Sequence, residues 1–95
     1  MTPTAISKAI LFTKENCIPC DKTKEFVETI NAGLAQNLVV MQKENHSALV
    51  AAYELEKYPT LLLVTKTGEV VNRFVGGETI RTVLMPTLNE IYYNE

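Results

Sequence analysis

The chain reads as an α/β protein with the element order β-α-β-α-β-β-α. Three observations predict this. Apolar runs of strand length stand at Lys8–Phe12, Leu38–Met41 and Thr60–Thr65. Segments with helical spacing of apolar residues lie between them. Lys66-Thr67-Gly68-Glu69 divides Thr60–Thr65 from Val70–Val75 as a hairpin turn. The first two strands, joined through a helix, should be parallel with a right-handed crossover. The last two should be antiparallel. Helices would then cover both faces of a four-stranded mixed sheet.

Each element has its own signals. Met1 to Ser7 reads as a loose lead-in, and Thr13 to Asn16 as the loop after the first strand. From Ile18 to about Ala32, Phe26, Val27 and Ile30 form an apolar stripe, with Lys22, Glu25 and Glu28 off it. Gly33 is the expected stop. Ser47 to Glu56 reads as a second helix with Leu49, Val50, Ala52 and Tyr53 inward, capped by Asn45 or His46. Tyr58-Pro59 breaks it before the third strand. Glu78 to about Tyr92 reads as the last helix, with Ile80, Val83, Leu84, Leu88, Ile91 and Tyr92 on one face. Pro86 inside it removes a hydrogen bond and should kink it near Thr82 to Met85; two shorter helices are the alternative.

Composition narrows the class. The 95 residues suffice for one domain, expected over residues 1–95, and 46% apolar residues suffice for a core. No run approaches the roughly 18–20 apolar residues of a membrane span. Met1 to Ser7 lacks the charged start and apolar centre of a signal peptide. A soluble, cytoplasmic monomer is the expectation. Net charge is −2 with both signs interspersed, so nothing supports a nucleic-acid partner.

The chemistry centres on Cys17-Ile18-Pro19-Cys20, which holds both cysteines of the chain. A disulfide needs Cα atoms within about 7 Å. A helical turn starting at Cys17 brings residues three apart within that reach. The same turn aims free backbone N–H groups and the positive end of the helix dipole at the first sulfur. That favours the thiolate, which is the nucleophile. The simplest reading is a dithiol cycling between reduced and disulfide forms. Two core thiols or half of a zinc site are the other readings. Zinc needs about four ligands, and the one histidine, His46, lies in another segment.

A Cys-x-x-Cys beside a βαβ pattern is a thioredoxin-like redox signature, and from about Lys8 to Tyr92 the chain resembles the thioredoxin superfamily. Ala52-Tyr53, Tyr58-Pro59-Thr60-Leu61-Leu62-Leu63, Thr67-Gly68-Glu69-Val70 and Val75-Gly76 resemble thioredoxin. Leu11-Phe12-Thr13-Lys14, with a lysine three before the first cysteine, resembles glutaredoxin and the glutaredoxin-like donors to ribonucleotide reductase. Short hybrids of this kind resemble phage or bacterial redoxins. The resemblance implies a minimal thioredoxin fold, a four-stranded mixed sheet flanked by three helices.

The chain also departs from both patterns. Asn16 stands where thioredoxin has Trp before the cysteine, and Ile18-Pro19 replaces its Gly-Pro spacer. Leu11 and Val40 occupy the positions of thioredoxin's buried Asp and its lysine partner. Against glutaredoxin, Lys57-Tyr58 replaces the Thr-Val before the proline, and Glu78-Thr79 stands in for an acidic pair.

The resemblance assigns roles residue by residue. Cys17 is the exposed attacking thiol and Cys20 the more buried resolving thiol. Pro59 is a cis proline beside the disulfide. The backbone of Tyr58 pairs with substrate like an added strand. The Tyr58 ring is either a substrate contact or edge packing. Gly76 and Gly77 are either a plain turn or a side-chain-free approach for substrate, followed by a helix N-terminus that could receive a carboxylate. Ile18, Pro19 and Lys14 complete the expected substrate surface; Lys14 is either a solvated loop charge or a group that favours the thiolate or binds a carboxylate. Asp21 favours the helix start but opposes a thiolate.

The implied activity is reduction of protein disulfides. No cofactor and no metal are expected beyond the redox-active cysteines. Ribonucleotide reductase is among the candidate substrates, and a thioredoxin reductase or glutathione would recycle the pair. A glutathione-dependent glutaredoxin and a non-catalytic binding subunit are the alternatives.

Overall fold

A computed structural model describes residues 7–30 and 37–93. The strands are β1 (Lys8–Thr13), β2 (Leu38–Gln42), β3 (Thr60–Val64) and β4 (Val70–Val75). The helices are α1 (Ile18–Ile30), α2 (Ser47–Ala52) and α3 (Gly77–Tyr93). The expected element order holds. A single 3-10 turn, Lys43–Asn45, was not anticipated.

The strands form one sheet in the order β2-β1-β3-β4. β1 runs parallel to β2 and antiparallel to β3, and β3 runs antiparallel to β4. The two central strands are buried on both faces, which is why they read as continuous apolar runs rather than alternating ones. Alternate residues feed two cores. Ala9, Leu11, Leu61 and Leu63 meet Val27 of α1 and Ile80 and Leu84 of α3 on one face. Ile10, Phe12, Leu62 and Val64 meet Leu55 and, from α2, Leu49 and Val50 on the other. Fully burying one such side chain contributes about 1.5–3 kcal/mol, so these two layers set the strand register.

Element ends differ from the sequence reading in ways with visible causes. The second helix stops at Ala52, not Glu56. Glu54 adopts the left-handed conformation, with φ of 53°. Its N–H donates to the Ala51 carbonyl, and the Leu55 N–H donates to the Val50 carbonyl. This is a Schellman stop, with Leu55 packed in the same core as Val50. The Arg73 guanidinium, from β4, donates to the carbonyls of Tyr53 and Glu54 and fixes the end. Ala52 is exposed rather than inward. His46 is the N-cap of α2 by position, but no side-chain cap bond forms there.

The third strand ends at Val64 rather than Thr65 because Thr65 belongs to the turn, where its N–H donates to the Glu69 carbonyl. Gly68 takes φ of 90° there. The last helix is one element with Pro86 inside it. Ile80 and Leu84 are buried as expected, whereas Val83 is 41% exposed. The expected lead-in Met1–Ile6, the end of the first helix at Ala32, the Gly33 stop, and the side chains of Ile30, Leu88, Ile91 and Tyr92 lie outside the described residues. Among the described residues, no helix is long and apolar enough to cross a membrane.

α1 and α3 meet closely at one point. A Cβ built on Gly77 would lie 2.9 Å from the Thr23 Oγ1 and 3.0 Å from the Arg81 Nη1. Arg81 is exposed and can swing away, whereas Thr23 is fully buried and can turn about χ1 but cannot leave the contact.

Two stability predictions follow from these contacts. Gly to Ala in an uncrowded helix stabilises by about 0.5–1 kcal/mol; overpacking costs about 1–3 kcal/mol. Gly77→Ala should therefore lower the urea midpoint, and an unchanged or raised midpoint contradicts the close approach. Glu54→Gly relieves a left-handed penalty of about 1–2 kcal/mol. It should raise the midpoint without changing the slope, and a lower midpoint would contradict the Schellman stop.

Candidate active site

The sheet register brings the site together. Phe12 of β1 lies opposite Thr60 of β3, and Thr60 lies opposite Val75 of β4. The loop leaving β1, the residue entering β3 and the corner leaving β4 therefore share one end of the sheet. These carry Lys14 to Cys17, Tyr58-Pro59 and Gly76-Gly77. The Gly76 N–H donates to the Pro59 carbonyl at 2.8 Å, tying two of the three together. The Tyr58–Pro59 bond is cis, as expected.

Cys17 occupies the N-cap position of α1. Its carbonyl accepts from the Asp21 N–H at 3.2 Å, the first bond of the helix. Its Sγ accepts from the Cys20 N–H at 3.1 Å. Oxygen side chains commonly accept this bond at an N-cap; here a sulfur does. Pro19, between them, has no N–H to compete. Asn16 approaches the helix with φ of 53°, a conformation that asparagine tolerates better than most residues.

Cys17 and Cys20 form a disulfide, with Cα atoms 5.2 Å apart. Cys17 is 7% exposed and Cys20 is 1% exposed. The ranking matches the sequence reading, but Cys17 is itself nearly covered rather than freely exposed. Ile18 is 69% exposed and Pro19 is exposed, so the spacer supplies the apolar surface beside the sulfurs.

The other expected residues separate into contact and support. Lys14 lines a cleft of about 400 Å³ that reaches both cysteines and includes Asp21, Lys24, Val40 and Gln42. Pro59 is buried, and its Cγ lies 3.6 Å from the position a Cβ on Gly77 would take. Gly76 has φ of 91° and open space where a side chain would go. Gly77, by contrast, is buried against Thr23. Its bare Cα serves helix packing rather than an approach for substrate.

The Tyr58 ring packs against the second core, with the Lys43 Nζ 5.5 Å from its centroid. Partial burial, and secondarily the Glu44 carboxylate, push its hydroxyl above its ordinary pKa. The ring is partly buried on this core and keeps part of its surface open.

Leu11 and Val40 are direct partners across the β1–β2 ladder. Leu11 is fully buried, and Val40 opens onto the cleft. Sequence reasoning missed Thr23, which is fully buried on α1. The signal was present: Thr23 precedes the stripe residue Val27 by one helical turn, so a polar residue falls on an inward face. It also missed Lys24, Gln42 and the cleft itself, which arise from the β1–β2 edge meeting the start of α1. Among the described residues, no cluster of three or more histidine, cysteine or acidic side chains could hold a metal ion.

The chain can be set beside known proteins on this basis. A family model described as a thioredoxin-like domain matches residues 4–84. No curated protein sequence matches the chain. Among solved structures, it is similar to a thioredoxin of Fasciola hepatica at 20% identity, over 90% of this chain and 83% of that one, with a TM-score of 0.73. It is also similar to mitochondrial thioredoxin 3 of Saccharomyces cerevisiae at 16% identity, over 92% and 81%, with a TM-score of 0.70. A thioredoxin from Thermus thermophilus matches at 21% identity, over 90% and 73%, with a TM-score of 0.64. The paired cysteines within this fold support thiol–disulfide oxidoreductase chemistry in general. The chain belongs to the thioredoxin-like domain family.

Proposed function

We propose that this chain is a small electron donor that reduces disulfides of other proteins through Cys17 and Cys20. The observation that carries the reading is the Cys20 N–H on the Cys17 sulfur at the first turn of α1. A hydrogen bond to a charged acceptor contributes about 1.5–3 kcal/mol. The helix N-terminus adds up to about 2 kcal/mol in a largely buried geometry such as that of Cys17. The direct bond and the helix terminus therefore favour the Cys17 thiolate together.

The Cys17 thiolate attacks a substrate disulfide, forming a mixed disulfide and expelling one substrate thiolate. The Cys20 thiolate then attacks the Cys17 sulfur, the mixed bond breaks, and the second substrate thiolate leaves with its electron pair. The substrate is oxidant in this cycle, and a dithiol reductase or glutathione returns the pair to the reduced form. The exposed Ile18 and Pro19, and the half-exposed Gly76, offer the surface on which an extended substrate segment would lie. A cytoplasmic setting fits such a cycle, because reducing systems there keep thiols available.

Recycling by glutathione is a second reading, favoured by Lys14 in the cleft beside Cys17. Lys57-Tyr58 weighs against it, since part of the Tyr58 ring is taken up by the second core.

The test is a reduction assay on a model protein disulfide. It compares NADPH plus thioredoxin reductase with glutathione plus its reductase. We expect faster turnover with the first system. Cys17→Ser with Cys20→Ser should abolish turnover in both if the thiolate carries the chemistry. A double variant that retains activity overturns the assignment, and dominant glutathione turnover selects the second reading.

A further inference from the structure

Thr23 holds an unexplained polar group. It is fully buried, and its Oγ1 has no hydrogen-bond partner. Among the described residues, Thr60 is the other buried polar side chain, and its hydroxyl donates to the Lys57 carbonyl at 2.6 Å. An orphaned buried hydroxyl carries a desolvation cost that a native structure ordinarily avoids. It therefore calls for a partner that arrives in another state of the protein.

Cys20 is that partner by position. It lies three residues before Thr23 on α1, so the two side chains share a helix face with Cβ atoms about 5–6 Å apart. Both are almost completely covered. In the disulfide, the Cys20 sulfur is bonded to Cys17 and is a weak acceptor. When a thiolate reductant attacks the Cys17 sulfur, the S–S bond breaks. Cys20 then keeps the bond's electron pair as a buried thiolate, a strong acceptor. Threonine in a helix has two favoured χ1 rotamers, one aimed at the preceding turn. A single χ1 rotation thus redirects the hydroxyl without moving the backbone.

The surroundings leave few other donors. Leu11, wholly buried in the apolar core beneath α1, offers no donor. The charged groups around the cysteines are Lys14 and Glu15 on the β1–α1 loop and Asp21 and Lys24 on α1, all exposed. β2 contributes Val40 and Gln42 to that cleft, and the exposed Arg81 of α3 meets Thr23 at the same point beside Gly77.

We propose that the Thr23 hydroxyl is the hydrogen-bond donor to the resolving sulfur, unpaired in the disulfide form and satisfied by the Cys20 thiolate after reduction. This rests on the oxidoreductase reading above and deepens it. It makes Thr23 a specific determinant of how readily the pair accepts electrons, without a buried acid.

Three substitutions separate the hydroxyl from the shape of the side chain. Thr23→Val keeps the volume and removes the donor. Thr23→Ala also removes it and cannot overpack. Thr23→Ser keeps it. In a Cys17→Ser background, thiolate absorbance titrates Cys20 alone. We expect Val and Ala to raise its pKa by about one unit, a tenfold change, while Ser stays within about a third of a unit. With both cysteines present and the pH held above the Cys20 pKa, equilibrium against a glutathione redox buffer should shift about tenfold toward the disulfide in Val and Ala, equal to about 30 mV.

Unchanged titration in Val and Ala overturns the proposal. So does an equal shift in Ser, which would make Thr23 a spacer. The titration reads Cys20 directly and does not depend on any substrate. A parent protein that fails to reduce protein disulfides would therefore overturn the functional reading separately.

Discussion

The pairing of β1 with β3 is the constraint on which the rest of this structure depends. Both strands are buried on both faces, and each sends alternate residues into a different core. A slip of one residue would exchange every side chain between the two layers. The register is therefore fixed, and Phe12 must lie opposite Thr60. That one row sets the loop carrying Cys17 and the loop carrying Pro59 at the same end of the sheet. β4 extends the row through Val75, so the glycine corner joins them, and the Gly76 N–H on the Pro59 carbonyl closes the set. The site is a consequence of strand register before it is a consequence of any side chain.

Onto that frame, α1 adds the chemistry. Its first turn uses Cys17 as the N-cap, and the proposed function makes the same sulfur the nucleophile. Beneath the turn the interior is apolar. Leu11 is wholly buried, and its ladder partner Val40 reaches the cleft without a charge. The polar groups described beside the two sulfurs are the Cys20 N–H and, by helix position, the Thr23 hydroxyl proposed above. The lysines and carboxylates on the rim are exposed and therefore act through screened, weak interactions.

Much of this was legible in the sequence, for physical reasons that can be named. Continuous apolar runs at Lys8–Phe12 and Thr60–Thr65 mark strands covered on both sides, and they fell in place within a residue. The Cys-x-x-Cys spacing after a strand marked the redox pair. Less legible were features that depend on contacts between distant segments. The early end of α2 is braced by Arg73, nineteen residues beyond Glu54, which holds the Tyr53 and Glu54 carbonyls just past the helix. A left-handed glutamate gives no local sign of itself. Gly77 looked like part of an open corner because Thr23, which fills the space beside it, belongs to another helix. That the Tyr58 ring leans on the second core was likewise invisible in the sequence, because Phe12 and Leu62 come from other elements. Thr23 was visible as a polar residue on an inward stripe, but its missing partner is a property of three dimensions.

The central claim is that Cys17 is the nucleophile and Cys20 resolves the mixed disulfide. Trapping tests it most directly. Reduced Cys20→Ser protein, mixed with a disulfide-containing protein, should accumulate a stable mixed disulfide that peptide mass mapping places on Cys17. Reduced Cys17→Ser should trap far less, because Cys20 is the more deeply covered sulfur. Equal trapping through Cys20, or none through Cys17, would contradict the account.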